Sequence, residues 1–335
     1  MSDRSPTIVD VASAAGVSKS VVSRVFSGHG SVGKPTRERV LAAAEELGYV
    51  VNAMARAMVA HRTYTIGVFV RDAAAPFYGH LLTAMQEHAF GLGYRVVTAT
   101  GSGHCELADE RRALATLTML RVEGLVVCSG RLPRTDVAAF ALRIPTVVAG
   151  RPETGTGLAS VYCDEAGGGA GLADHLADLG HRTVAVIRLR PEQSLTMAPR
   201  TEAMARRLRE RGVEVLELAG GMPEQAGGHV EQLRAHPDVT AVMAPSDAHA
   251  VSLLEVLRTA DVEVPGRLSV TGYDAVGPLC TPLIGLTTWR QPLDEIGARA
   301  VDAVVGLLDD AVAVPAHRSL PGELVVGRTT APPAH

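Results

Sequence analysis

The side chains best placed for chemistry lie in the first forty residues. Ser18 can cap a helix running through Val21, Val22 and Val25 to about Ser27, whose early outward positions are Lys19, Ser20, Ser23 and Arg24. All four can donate hydrogen bonds to base edges or phosphates, and none is acidic. Asp and Glu are absent from position 11 to position 37, a gap that suits approach to a polyanion. Residues 1–62 hold eight Lys/Arg against five Asp/Glu, a balance of +3; the whole chain is −4, which leaves −7 for the remainder. Basic charge is concentrated where nucleic acid would be touched.

Catalytic constellations are missing from the rest of the chain. The run Gly167-Gly168-Gly169-Ala170-Gly171 lacks the Lys-Ser/Thr of a phosphate-binding loop, and Gly155-Thr156-Gly157 lacks the third glycine of a dinucleotide fingerprint. No HExxH and no GxSxG occurs. Cys105, Cys128, Cys163 and Cys280 form no CxxC pair and read as reduced core thiols, so neither a metal nor a cofactor is expected. The first ten residues carry no apolar run behind their charges, and no segment reaches about 18 uninterrupted apolar residues. A cytoplasmic protein with no membrane partner is the expectation.

Two short helices joined at Gly16 must position the donor face. The first is capped by Thr7 with Asp10 three residues on and carries Ile8, Val11, Ala12 and Ala15; Val17 follows as a plug. A third helix from about Pro35 to Gly48 closes the core with Val40, Leu41, Ala44 and Leu47. This spacing is that of a helix-turn-helix. Residues 52–59 have a helical pattern too short to be stable alone. From Thr65 onward, TIGVFV, RVVTAT, GLVVCSG, IPTVVAG, TVAVIRL, VEVLEL, TAVMAP and LSVTGY are spaced by roughly a helix length, which predicts parallel sheets covered on both faces, with ligands at the carboxyl ends of the strands.

The runs TIVDVASAAGVSKSVVSRVFSG, TRERVLAAAEELGY and NAMARAM are similar to the headpiece and hinge of the lactose-repressor and galactose-repressor family. Ala75-Pro76-Phe77, Leu179-Gly180-His181-Arg182, Gly272-Tyr273-Asp274 and Leu286-Thr287-Thr288-Trp289-Arg290-Gln291-Pro292 extend the resemblance to about residue 329. It implies an α/β chain: a three-helix helix-turn-helix headpiece over 1–50, a hinge helix and linker over 51–63, a periplasmic-binding-protein-like pair of Rossmann-like subdomains joined by three crossovers over 64–329, and a tail over 330–335. The implied function is that of a DNA-binding transcriptional regulator, a repressor in the first instance and not an enzyme, controlled by a small molecule.

By that resemblance Lys19, Ser20 and Arg24 read bases, Thr7, Ser18, Ser23, Thr36 and Asn52 anchor phosphates, and Ala55 and Met58 complete the DNA set, with Met58 as an apolar wedge in the minor groove. The effector cleft draws on Asp72, Phe77, Asp164, Arg200, Ser246 and Asp274; carboxylates and an arginine suit a sugar or sugar derivative. Trp289 reads equally as a stacking surface for a ligand and as a buried interdomain aromatic. Implied partners are double-stranded DNA at a pseudo-palindromic operator, the effector, and a second copy of the chain, with a tetramer left open. Residues 291–308 and the surroundings of Leu81 and Met85 are candidate interface elements.

Departures from the family pattern are Val21 for threonine, Ser27 for asparagine, Gly33 for serine, Val51 for proline, Glu165 and Ser246 for asparagine, and Ala203 for glycine. A transport solute-binding protein would share the large part of the chain but not the headpiece, and an enzyme would need the acid/base pair or phosphate loop that is missing.

Overall fold

The computed structural model describes residues 6–27, 32–49, 62–101, 106–153, 157–309 and 316–334. The chain divides into two compact units, Met1–Tyr64 and Thr65–His335. Among the described residues no helix is long and apolar enough to cross a membrane.

The first unit holds α1 (Ile8–Ala14), α2 (Lys19–Ser27) and α3 (Lys34–Glu46). Asp10 fixes the start of α1 by accepting from both the backbone N–H and the hydroxyl of Thr7, each at 2.7 Å. Gly16 turns the chain at φ +64, a conformation that L side chains rarely adopt. Val11, Ala12, Ala15, Val22, Val25, Val40, Ala43 and Ala44 form the core. The expected stripe on the third helix shifts: Leu41 and Leu47 are exposed, and Ala43 packs instead. Positions three and four after Val40 share its face, whereas Leu41 is rotated about 100° from it.

The second unit contains two parallel sheets. The larger has the order β11-β5-β4-β3-β1-β2, formed by β1 (Thr65–Val70), β2 (Arg95–Thr100), β3 (Gly124–Cys128), β4 (Thr146–Ala149), β5 (Ala159–Cys163) and β11 (His317–Leu320). The smaller has the order β7-β6-β8-β9, from β6 (Thr183–Arg188), β7 (Glu214–Ala219), β8 (Ala241–Met243) and β9 (Ser269–Thr271). The chain passes between the sheets three times. It leaves the first through α7 (Glu165–Asp178), returns through β10 (Thr288–Arg290) and α11 (Leu293–Asp309), and leaves again through β12 (Glu323–Val325), which pairs antiparallel with β10. The expected two-subdomain α/β architecture is thus present.

Helices α4 (Pro76–Gly91), α5 (Leu107–Met119) and α6 (Arg134–Ala141) flank the large sheet, and α8 (Met197–Glu210), α9 (Gly227–Ala235) and α10 (Asp247–Thr259) flank the small one. The apolar faces of α4 and α11 meet each other: Leu81, Met85, Leu293, Ile296, Ala300, Val301 and Val304 lie in one buried cluster. Leu81 and Met85 are thereby spent within the chain itself, while other positions of the same two helices, such as His80, Asp294 and Asp302, stay exposed. Within the expected tail, Ala331 exchanges bonds with Ser269, and Thr330 bonds His175 and Thr287.

Candidate functional site

The DNA-facing candidates on α2 keep their donors outward. Lys19, Ser20 and Arg24 are exposed, Ser23 is half-buried, and Val22 and Val25 on the opposite face anchor the helix. Ser18 and Ser20 share a hydrogen bond of 2.8 Å in front of the helix start, and the Arg24 Nε donates to the Ser20 carbonyl at 3.3 Å. Thr36 is half-buried in the first turn of α3, and the Thr7 hydroxyl is engaged by Asp10. Asn52, Ala55 and Met58 lie outside the described residues.

In the second unit four of the predicted effector residues converge. Asp164 caps α7 by accepting from the Gly167 N–H at 2.9 Å and remains exposed. Its neighbour Glu165 is buried and grips Arg200 by two bonds, Nε to Oε2 at 2.6 Å and Nη2 to Oε1 at 3.1 Å. The third nitrogen, Nη1, donates to the Pro245 carbonyl at 2.5 Å and lies 3.5 Å from Asp274 Oδ1. Ser246, next to Pro245, caps α10 and lies 2.7 Å from the His249 Nδ1. Since the Gly221 carbonyl can only accept, the His249 Nε2 bonded to it at 3.0 Å carries the proton, which makes Nδ1 the acceptor of the Ser246 hydroxyl. Burial holds this imidazole below its ordinary pKa, consistent with a neutral ring.

Arg200, whose guanidinium the family resemblance aims at a ligand, is buried, with all three nitrogens bonded to acceptors of its own chain and its plane 3.5 Å over the Tyr273 ring. Burial opposes its charge, but Glu165 and Asp274 outweigh that and hold it protonated.

Asp274 sits at φ +125 and is followed by Ala275 at φ +54, a turn that L residues seldom adopt. It is held by the Asp274 N–H bond to the Trp289 carbonyl at 2.9 Å and by Gln291 Nε2 donating to Asp274 Oδ1 at 2.7 Å. Burial pushes the Asp274 carboxyl up to about 8 against the opposing pull of Arg200, and nearby Asp247 adds to the rise. The folded state therefore holds a proton that the unfolded chain releases above about pH 4. This contribution to stability is complete below that pH and is lost as pH rises through about 8. Asp274→Asn should abolish it, so the melting-temperature difference, wild type minus variant, should shrink from pH 5 to pH 9. Parallel melting curves for the two proteins across that range would remove the assignment.

Trp289 lies between the two cores. It packs against both the large-sheet core and the core containing Tyr273. The glycine run of α7 lies directly against it: a Cβ at Gly171 would stand 2.4 Å from the indole ring. This close packing gives the glycine run a structural role. Gly169 similarly brings α7 onto α8, where a Cβ would stand 2.5 Å from the Arg200 carbonyl.

The other side of the cleft is built from strand ends of the large sheet. Asp72 follows β1 and accepts from the Ala74 N–H at 2.9 Å, and Phe77 in the first turn of α4 stands edge-on to Tyr78 and beside Gly150. Behind them lie partners that residue types alone did not reveal. Ser129 donates to Glu110 at 2.6 Å, Arg71 lies 3.6 Å from Glu110, and Arg151 lies 2.6 Å from Glu153 and donates to the Leu132 carbonyl at 2.7 Å. The two halves touch where the Leu195 N–H donates to the Gly130 carbonyl at 2.7 Å. Glu165 itself was visible in sequence only as a departure from asparagine. Among the described residues no group of three or more His, Cys, Asp or Glu could hold a metal ion.

A helix-turn-helix unit with an exposed basic and hydroxyl face, followed by two parallel-sheet subdomains crossed three times, defines a DNA-binding regulator with a ligand-type core. Residues 7–52 match the model of bacterial regulatory proteins of the lacI family, and residues 173–330 match that of the periplasmic binding protein-like domain. The ribose operon repressor of Escherichia coli (strain K12) is 30% identical over 309 residues, spanning 89% of this chain and 92% of that protein. The Lac repressor dimer bound to operator and the anti-inducer ONPF superposes with a TM-score of 0.85 at 26% identity, covering 98% of this chain and 100% of that one. A complex of the transcriptional regulator CelR with cellobiose gives 0.69 at 28% identity, covering 97% and 99%. The chain belongs to the lacI family of bacterial regulatory proteins: it is a transcriptional regulator and not an enzyme.

Proposed function

We propose that the chain is a cytoplasmic repressor that binds a pseudo-palindromic operator as a homodimer and changes its operator affinity when a sugar or sugar derivative enters the cleft between its subdomains. The convergence of Asp164, Ser246 and Asp274 around the Arg200–Glu165 pair carries the effector half of this reading, because it sets hydrogen-bonding groups of hydroxyl chemistry at the strand ends where such folds take ligands. Asp72 and Phe77 face the effector from the large sheet, and Trp289 supports the cleft from behind. The names of relatives add support, since one is a ribose operon repressor and another was solved with cellobiose. The operator half rests on Lys19, Ser20 and Arg24 as base readers and on Thr7, Ser18, Ser23, Thr36, Asn52, Ala55 and Met58 as anchors and wedge. One short recognition helix reads few bases, so two copies on a two-fold site are expected.

Selecting fragments from random duplex DNA with the purified protein tests this. An enriched sequence with two inverted half-sites is the expected result, and enrichment of none is the contrary one. On the selected site Arg24→Ala should cost about 1–3 kcal/mol and relax base preference. Thr36→Ala should weaken selected and random DNA alike. Equal losses for both variants on both DNAs at fixed salt would contradict the assignment of roles.

A further inference from the structure

We infer that Glu165 is a specificity-determining residue of the effector cleft: by occupying the Arg200 guanidinium it sets the cleft for a neutral polyhydroxylated effector and against sugar acids and sugar phosphates. The inference rests on the cleft reading proposed above and names the chemical class of its ligand.

The fork of Arg200 that would clasp an anionic ligand is filled from within. Nε and Nη2 present two parallel donors, the arrangement that matches a carboxylate, and the Glu165 oxygens accept both at 2.6 and 3.1 Å. The Arg200 side chain is 2% exposed and that of Glu165 4%, so the pair is closed to solvent. The Tyr273 ring covers the guanidinium plane, and the Pro245 carbonyl takes Nη1. An effector carboxylate or phosphate could reach this fork only by displacing Glu165, which would leave a second anion buried without its partner. Asparagine, the residue frequent at this position in the family, would bring no charge and leave the guanidinium open to a ligand anion.

The same matching recurs across the cleft floor. Arg71 lies 3.6 Å from Glu110, beyond hydrogen-bond distance, and Arg151 lies 2.6 Å from Glu153, which Arg134 also approaches at 3.7 Å, so each of these buried or nearly buried arginines has a glutamate beside it. Around Arg200 the side-chain oxygens of Asp274 and Asp247 add acceptors, with Asp247 taking the Thr288 hydroxyl at 2.6 Å. Exposed Asp164 adds another acceptor at the rim. Such a surround accepts from hydroxyl donors and offers an anion little that it needs.

Calorimetric titration of the full chain with three matched pairs tests the inference: D-galactose with D-galacturonate, D-glucose with D-glucuronate, and D-ribose with D-ribose 5-phosphate. For the pair that binds, wild type should prefer the neutral member by about tenfold or more, the effect of one charge-assisted contact. Glu165→Gln should lower that ratio by about tenfold and bind the anionic member more tightly than wild type does. Glu165→Asn should behave like Glu165→Gln, and Glu165→Asp should keep the neutral preference. Because each ratio is taken within one protein sample, a partly folded variant still reports it. A wild type that prefers the anion, or a Gln variant with an unchanged ratio, overturns the inference and leaves the cleft reading standing. Binding of no sugar, neutral or anionic, by wild type overturns both.

Discussion

Arg200→Met should lower the unfolding free energy of the second unit by about 3–5 kcal/mol, because it leaves Glu165 buried without a cation. The pair is closed to solvent, bidentate, and braced by the Pro245 carbonyl and Asp274, so removing one partner exposes the desolvation cost of the other. Replacing both members by apolar residues should recover most of the loss, since a desolvated pair contributes little net stability over hydrophobic packing. Trp289, the one tryptophan in the chain, lies against the same helix and reports on the region by its fluorescence. Urea unfolding of wild type, Arg200→Met and Arg200→Met/Glu165→Met should rank the single variant well below the other two. A single variant as stable as wild type would show that the pair is not the keystone described.

Gly169→Val should cost about 1–3 kcal/mol or more, because the contact it creates is with backbone and cannot be relieved by a side-chain rotation. The new Cβ would lie 2.5 Å from the Arg200 carbonyl and 3.2 Å from the Met204 nitrogen, so α7 and α8 would have to separate. Separation would also loosen the Glu165–Arg200 pair, which joins the same two helices. The opposite sign is expected at Gly306 of α11, where a Cβ would meet nothing within 4 Å. There Gly306→Ala should gain up to about 1 kcal/mol through helix propensity alone. Thermal unfolding of the two variants reads both, and a stable Gly169→Val protein would refute the close packing of the glycine run.

Much of this architecture was legible because its signals are local. The three headpiece helices start and stop at Thr7, Gly16, Pro35 and Gly48, residues whose backbone preferences act within a few positions. Eight strands of the two sheets are apolar runs long enough to read. The strands β5, β10 and β12 escaped because polar residues interrupt their apolar character, and β11 reads as the polar His317-Arg318-Ser319 because it is an exposed edge. The site was legible as positions but not as pairings. Strand-end placement marks Asp164, Ser246 and Asp274, yet nothing local links Arg200 to Glu165, 35 residues earlier, or Gln291 to Asp274. The apolar face at Leu81 and Met85 has the same character: it announces burial but not the partner, which here is α11.

Control of DNA binding by an effector is the central claim, and linkage tests it most directly. If the effector binds the operator-competent and operator-released conformations unequally, the factor by which it changes operator affinity must equal the factor by which operator DNA changes effector affinity. The measurement is the affinity of the selected operator with and without a saturating neutral sugar, and the affinity of that sugar with and without saturating operator, at one salt concentration. Equal factors, each different from one, are the result expected of this regulator. A sugar that binds with the same affinity whether or not the operator is present would contradict the account.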